Sequence, residues 1–319
     1  MILTKLRIAN YRFTLQARDE LHLPPYKGST LRGGFGYTFK RVVCFQREVK
    51  TCEGCLLREE CPYAYVFESS PPSDAQVLRK HSDVPLPFVI EPDTTDRRTT
   101  YRPGDTLHFD LVLVGKAINY LPYFILVFRE LGNRGLGRGR GKYSLHEVQA
   151  VQPLSGAGER IYSASDEMVC HSELEVSFQD IERHVEEMPG DKVRLRFLTP
   201  TRLKHEGRFI SQPPFHVIVR NVLRRVSSLY YFHCGQQWKF DYRGTIERAK
   251  EIRSAELNTK WVDWERYSGR QKARMKMGGF VGEAVYEGDL TGFKPLLLLG
   301  QLVHIGKACV FGNGRYEIR

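Results

Sequence analysis

GNGRYEI, residues 312–318, decides the fold, because GRGKYSL at 139–145 follows the same plan. Each stretch comes after a glycine-rich loop, and each loop comes after an apolar helical segment: AINYLPYFILVFREL (117–131) in the first half and FKPLLLLGQLVH (293–304) in the second. Pro122 bends or delays the first of these helices, and Pro295 suits a first-turn position in the other. Working outward, residues 3–17 read as a strand, 27–43 as a glycine-weakened helix, and PFVIEP (87–92) and TLHFDLVLVG (106–115) as strands. The last of these alternates Leu107, Phe109, Leu111 and Leu113 on one face.

The second half repeats the order. KVRLRFLTP (192–200) opens it as a strand, and a helix over 213–232 carries Arg220, Arg224 and Arg225 opposite Val217, Val219, Val222, Leu223 and Val226. A short surface helix, DYRGTIERAKEI (241–252), and strands near 256–264 and 270–286 follow. Two βαββαβ units are the simplest account, so the expected class is α+β with tandem ferredoxin-like, RRM-like domains. The expected division is an N-terminal domain over 1–152 with a Cys-rich insertion at 44–61, a connecting segment over 153–190, and a C-terminal domain over 191–319.

The chain of 319 residues is long enough for two cores, and 48 Lys plus Arg against 37 Asp plus Glu leave a formal charge of +11. Such a surplus favours a polyanion, with nucleic acid ahead of a membrane surface. No apolar run is long enough to span a bilayer, and MILTKLRIANYRF lacks the features of a signal peptide, so a cytoplasmic location is expected.

RQKARMKM (270–277), read as a strand, places Arg270, Lys272, Arg274 and Lys276 on one face, at a repeat of roughly 6–7 Å that matches the phosphates of an extended single strand. A solvated edge strand would carry the same charges. GLGRGRGK (135–142) and GKACVFGNGR (306–315) set small residues beside cations, which lets backbone N–H groups approach phosphate. From these stretches and their neighbours come the expected RNA contacts: Arg32, Lys40 and Arg41 in the first helix; Gly135, Gly137, Arg138, Gly139 and Arg140; Arg202 and Lys204; and Gly306, Gly312 and Gly314. Neither loop is a nucleotide-triphosphate loop, since Gly306-Lys307 is followed by Ala308 and no GxxxxGK[ST] occurs. Glycines required by tight turns explain either loop alone equally well.

Cys44, Cys52, Cys55 and Cys61 fall in one short window with one CxxC pair, a spacing suited to a closed four-sulfur site. Structural zinc is the expected occupant, with an iron–sulfur cluster or free thiols as the alternatives, and no catalytic metal. Among ten histidines, His304 stands out at the end of the leucine-rich helix, three residues before Lys307. There an imidazole could take the proton of a ribose 2′-hydroxyl while the ammonium stabilises the phosphate. A helix-capping role is the competing reading, and His22 and His205, in basic loops, stand in reserve.

Taken together, LPPYKGSTLRGGFG (23–36), residues 101–145, LTPTRLKHEG (198–207), RYSGRQ (266–271) and LVHIGKACVFGNGRYEI (302–318) make the chain similar to the CRISPR-associated endoribonucleases of the RAMP superfamily, whose glycine-rich C-terminal signature the last stretch resembles. The resemblance implies metal-independent cleavage within repeat RNA, by 2′-hydroxyl attack that leaves a 2′,3′-cyclic phosphate and a 5′-hydroxyl. Relatives often place a histidine near the first helix, where this chain offers Tyr37 and Lys40. The expected catalytic set is therefore His304, Lys307 and Tyr37. Expected partners are repeat RNA or its processed guide, other CRISPR effector subunits, and a second copy in a homodimer. A guide-RNA-binding RAMP subunit that does not cut is the alternative, and a DNA-binding architectural protein the third reading.

Overall fold

The structure is a computed structural model and describes residues 3–49, 51–69, 84–268 and 273–319. The chain forms two compact units, one of residues 6–176 with 231–236 and the other of 1–5, 177–230 and 237–319.

The first unit runs β1 (Arg7–Ala17), β2 (Leu21–His22), α1 (Gly28–Val43), α2 (Pro62–Phe67), β3 (Phe88–Pro92), β4 (Thr100–Tyr101), β5 (Thr106–Val114), α3 (Leu121–Arg134), β6 (Tyr143–Val151), β7 (Gly158–Ser163) and β8 (Glu175–Ser177). Its sheet has the order β3-β5-β1-β6-β7, with β8 beside β1. The alternation in β5 behaves as expected: Leu107, Phe109, Leu111 and Leu113 are buried, and Phe13 of β1 pairs with Phe109. Aromatic rings fill the space between sheet and helices. Phe35 of α1 stacks on Phe124 and Phe128 of α3 at centroid distances of 4.7 and 5.1 Å, and Phe13 stacks on Phe109 at 5.0 Å. Pro122 falls in the first turn of α3, where its missing N–H costs nothing.

The second unit runs α4 (Phe178–Glu186), β9 (Lys192–Thr201), β10 (Lys204–His205), β11 (Arg208–Phe209), α5 (Phe215–Cys234), α6 (Tyr242–Ala249), β12 (Arg253–Val262), β13 (Glu265–Ser268), β14 (Ala273–Lys276), β15 (Gly279–Glu287), α7 (Lys294–Val303) and β16 (Tyr316–Ile318). Its sheet order is β12-β15-β9-β16. If the strands of each βαββαβ unit are counted in chain order, both sheets read two-three-one-four, all antiparallel. The ferredoxin-like fold is therefore present in full in each unit. Residues 153–190 contribute β7 and β8 to the first sheet and α4 to the second unit.

The opening repeat has a structural meaning that reaches further than its seven residues. In the first unit the Tyr143 hydroxyl donates to the carbonyl of Phe128 in α3 at 2.8 Å, and in the second the Tyr316 hydroxyl donates to the carbonyl of Leu297 in α7. A glycine lies against each tyrosine: a Cβ on Gly132 would stand 2.3 Å from the Tyr143 carbonyl oxygen, and one on Gly300 would stand 2.3 Å from the Tyr316 hydroxyl. Leu131-Gly132 and Leu299-Gly300 thus belong to the repeat as well.

One expected strand is corrected. Residues 270–286 do not form a continuous strand: β14 pairs back on β13 as a separate hairpin, and β15 begins after Gly278. A Cβ on Gly278 would stand 2.7 Å from the Asp263 carboxylate, and one on Gly279 2.6 Å from the Thr201 carbonyl, so the chain turns there between neighbours that only glycine clears. Among the described residues no helix is long and apolar enough to cross a membrane.

Candidate nucleic-acid interface

A concavity of the first unit, about 900 Å³, lies between the His22–Pro24 turn, Thr99–Thr100 and the Gly135–Arg140 loop. Three short pairings build it. Leu21 and His22 ladder with Tyr101 and Thr100, His22 bridges to Arg138, and Leu136 bridges to Gly141. The Arg138 N–H donates to the His22 carbonyl at 2.9 Å. This close approach needs Gly137, whose φ is +75° and whose Cβ, if present, would stand 2.2 Å from the same carbonyl oxygen.

A buried cation braces the segment that carries Thr99 and Thr100. Lys27, 1% exposed, donates to the Asp96 carbonyl at 2.6 Å, and burial pulls its pKa below the ordinary value. The Asp96 carboxylate accepts from Arg98 and from the Tyr101 hydroxyl, each at 2.8 Å. Hydrogen bonding to Arg98 holds it well below the usual carboxylate range, and burial raises Tyr101. The 93–101 segment, and with it the β4 partner of His22, is thereby fixed.

Into this concavity the chain presents Arg138 and Arg140, both exposed, and His22, half exposed, with Nε2 3.0 Å from a carboxylate oxygen of Glu20. If that nitrogen carries the hydrogen donated to Glu20, Nδ1 is the ring's acceptor. Imidazole and two guanidiniums around one groove can accept a proton and balance charge on a phosphodiester.

The expected residues are distributed as follows. Tyr37 is 59% exposed on α1, with the guanidiniums of Arg134 and Arg41 at 5.2 and 5.9 Å from its ring centre. Arg32 lies over the Phe67 ring at 4.6 Å and Lys40 donates to the Val49 carbonyl, so both brace the unit while Arg41 faces solvent. Gly135 and Gly139, like Gly137, have left-handed backbone. In the second unit Arg202 and Lys204 flank the exposed Phe209 ring at 4.0 and 5.2 Å, and Arg202 also donates to the Lys276 carbonyl. Arg274 and Lys276 are exposed, while Arg270 and Lys272 lie outside the described residues. Gly306, Gly312 and Gly314 all adopt left-handed backbone in the loop after α7, and Lys307 is exposed on it.

His304 is placed differently from the expectation. It is fully buried, its φ of +61° turns the chain out of α7, and its Nδ1 lies 3.0 Å from the Asn313 carbonyl oxygen. An imidazole in that position ties the two ends of the loop together and has no solvent-facing atom to offer a ribose. Leu302, Val303 and Ile305 around it are buried as well. His205 stands edge-on to His216 at 5.3 Å in the β10–β11 region.

Comparison with known proteins adds the following. The profile of the CRISPR-associated endoribonuclease Cas6 matches residues 195–316, and the N-terminal-domain profile AF_1859_N matches residues 6–174. An uncharacterized protein of Archaeoglobus fulgidus is 25% identical over 313 residues, covering 94% of each chain. Among solved structures, a Cas6 product complex is similar at a TM-score of 0.57 with 18% identity, over 98% of this chain and 100% of that one. Thermus thermophilus Cas6 is similar at 0.55 with 15% identity, over 98% and 99%. A partial Cas6-RT-Cas1–Cas2 complex is similar at 0.56 with 12% identity, over 98% of this chain and 46% of that one. At these identities the structural likeness is one of fold.

Proposed function

Because this chain belongs to the family of CRISPR-associated RAMP-type endoribonucleases, RNA-cleaving enzymes of CRISPR repeat processing, we propose that it cuts repeat RNA without a catalytic metal, using the groove of its first unit. The carrying observation is the half-exposed His22, oriented by Glu20 and bordered by Arg138 and Arg140. His22 Nδ1 removes the proton of a ribose 2′-hydroxyl, and the resulting oxygen attacks the adjacent phosphorus. The bond from phosphorus to the 5′ oxygen breaks, that oxygen takes a proton from solvent, and the products are a 2′,3′-cyclic phosphate and a 5′-hydroxyl. Arg138 and Arg140 balance the charge that gathers on the phosphate.

Tyr37, framed by Arg41 and Arg134, offers a ring for a base to stack on. Lys307, Arg202, Lys204, Arg274 and Lys276 supply phosphate contacts on the second unit, where His304 acts as a positioning residue for the glycine loop. The RNA partner follows from the family. The similarity to a Cas6-RT-Cas1–Cas2 complex supports further Cas proteins as partners. The burial of His304 favours the second reading, a guide-RNA holder that needs no presented base.

The test is incubation of the full chain with its repeat RNA in excess chelator, with a 2′-deoxy substitution at the cut as control. One cut, blocked by the deoxy group and lost in His22→Ala, is the expected result. Tight binding without cleavage in the wild type selects the holder.

A further inference from the structure

We propose that Cys44, Cys52, Cys55 and Cys61 form a four-thiolate metal centre, with zinc as its ion, that clamps the segment between α1 and α2. Among its described residues the segment has no other core. Across residues 44–61 every described hydrophobic side chain faces water, among them Phe45 at 91% and Leu56 at 100% exposure, with Val49 and Leu57 also exposed. The side chains that turn partly inward are the four thiols and Arg58. A stretch of ordinary protein does the reverse, burying its leucines and phenylalanines and leaving the rest outside.

Local backbone geometry supports convergence. The Cys55 N–H donates to the Cys52 carbonyl at 3.3 Å across a turn in which Gly54 has a φ of +74°, and the intervening Glu53 and Gly54 face out. The two thiols of this knuckle are partly covered, unlike the residues between them. Cys44 closes α1, its N–H bonded to the Lys40 carbonyl, and Cys61 is the residue from which α2 starts, its carbonyl accepting from Tyr65. One pair of thiols thus comes from a turn and the other from two helix ends, both anchored in the first unit.

Among the described residues no three His, Cys, Asp or Glu side chains are already gathered tightly enough to hold a metal. Closure of the site by its ion is the ordinary behaviour of such segments, in which metal binding and local folding are one event. On binding, each thiol proton passes to the buffer and a sulfur–metal bond takes its place. Four sulfurs fill a tetrahedron and leave no position for water, so the centre is a clamp and takes no part in RNA cleavage. The cysteines select a soft cation and exclude magnesium or calcium.

The experiment uses the full chain, purified under reducing conditions from metal-replete culture. Zinc, iron and acid-labile sulfide are measured in the wild type and in the Cys52→Ser, Cys55→Ser double variant. Trypsin cleavage at Arg47 and Arg58 is followed with and without a strong zinc chelator. The expected result is one zinc per chain in the wild type, none in the variant, and cleavage at both arginines about ten-fold faster once the metal is removed. Iron with sulfide in place of zinc would keep the four-thiolate centre and overturn the choice of ion. A wild-type chain with neither metal, whose four thiols react at one rate with or without chelator, would overturn the proposal. Because these readouts do not involve RNA, they stand apart from the cleavage assay, and the wild-type arms remain decisive if the variant does not fold.

Discussion

Gly137 and Gly139 both have left-handed backbone two residues apart in the same loop, yet only one of them is crowded. A Cβ on Gly137 would stand 2.2 Å from the His22 carbonyl oxygen, whereas one on Gly139 would meet nothing within 4 Å. Alanine at either position carries a conformational cost of about 1–2 kcal/mol. At Gly137 the loop must also leave His22, which removes the hydrogen bond from Arg138 to the His22 carbonyl and costs about another 1 kcal/mol. The two variants keep every charge, so the difference between them isolates the seat of the loop on His22. At about 1.4 kcal/mol per factor of ten, Gly137→Ala leaves the seated loop roughly 30- to 150-fold less favoured, and Gly139→Ala roughly 5- to 30-fold. Single-turnover cleavage of repeat RNA at saturating enzyme reads the consequence, with thermal melting as a check that the first unit remains folded. Gly137→Ala is expected to be several-fold to ten-fold slower than Gly139→Ala. Equal rates for the two variants would refute the argument that the loop acts by being seated on His22.

Phe35→Ala removes the ring on which Phe124 and Phe128 stack and should cost about 3–5 kcal/mol, seen as a fall of roughly 10 °C in the melting of the first unit. The Asp96 carboxylate is held below its ordinary pKa, so its stabilisation is fully present above about pH 4 and is lost as the pH falls through the folded value. Asp96→Asn should therefore be less stable than the wild type at neutral pH and approach it in acid, as followed by melting from pH 7 down to pH 3. Replacing Arg138 and Arg140 together by alanine should weaken RNA binding and lower the slope of log affinity against log salt by about 1.4, measured by titration of a cleavage-resistant 2′-deoxy substrate.

The tandem fold was legible because periodicity is local. The strand alternation in β5, the leucine run of α7 and the doubled glycine-tyrosine ending each sit within a dozen residues, and each becomes the element expected of it. The break between β14 and β15 was hidden because it depends on neighbours far along the chain, Thr201 at Gly279 and Asp263 at Gly278. The candidate site was legible in its charges and glycines and hidden in its histidine. His304 follows an apolar helix in sequence, and its inward turn is set by a left-handed backbone and a carbonyl at Asn313. His22 belongs to a strand of two residues whose partners, Thr100 and Arg138, lie roughly eighty and over a hundred positions away, a pairing that no local pattern announces. Arg32 and Lys40 show the same limit: their charge was visible, and their engagement with Phe67 and Val49 was not.

The tyrosine locks at the two glycine loops carry a consequence for engineering. Tyr143 against α3 and Tyr316 against α7 fix where each loop leaves its helix and where it rejoins its sheet. Whatever lies between two such anchor points can change in length and composition while the frame stays put, and the second loop is already the longer of the pair. The two loops are in effect cassettes in matching sockets. A chimera that carries the first unit's loop in the second unit's socket would separate what the scaffold demands of a loop from what RNA demands of it.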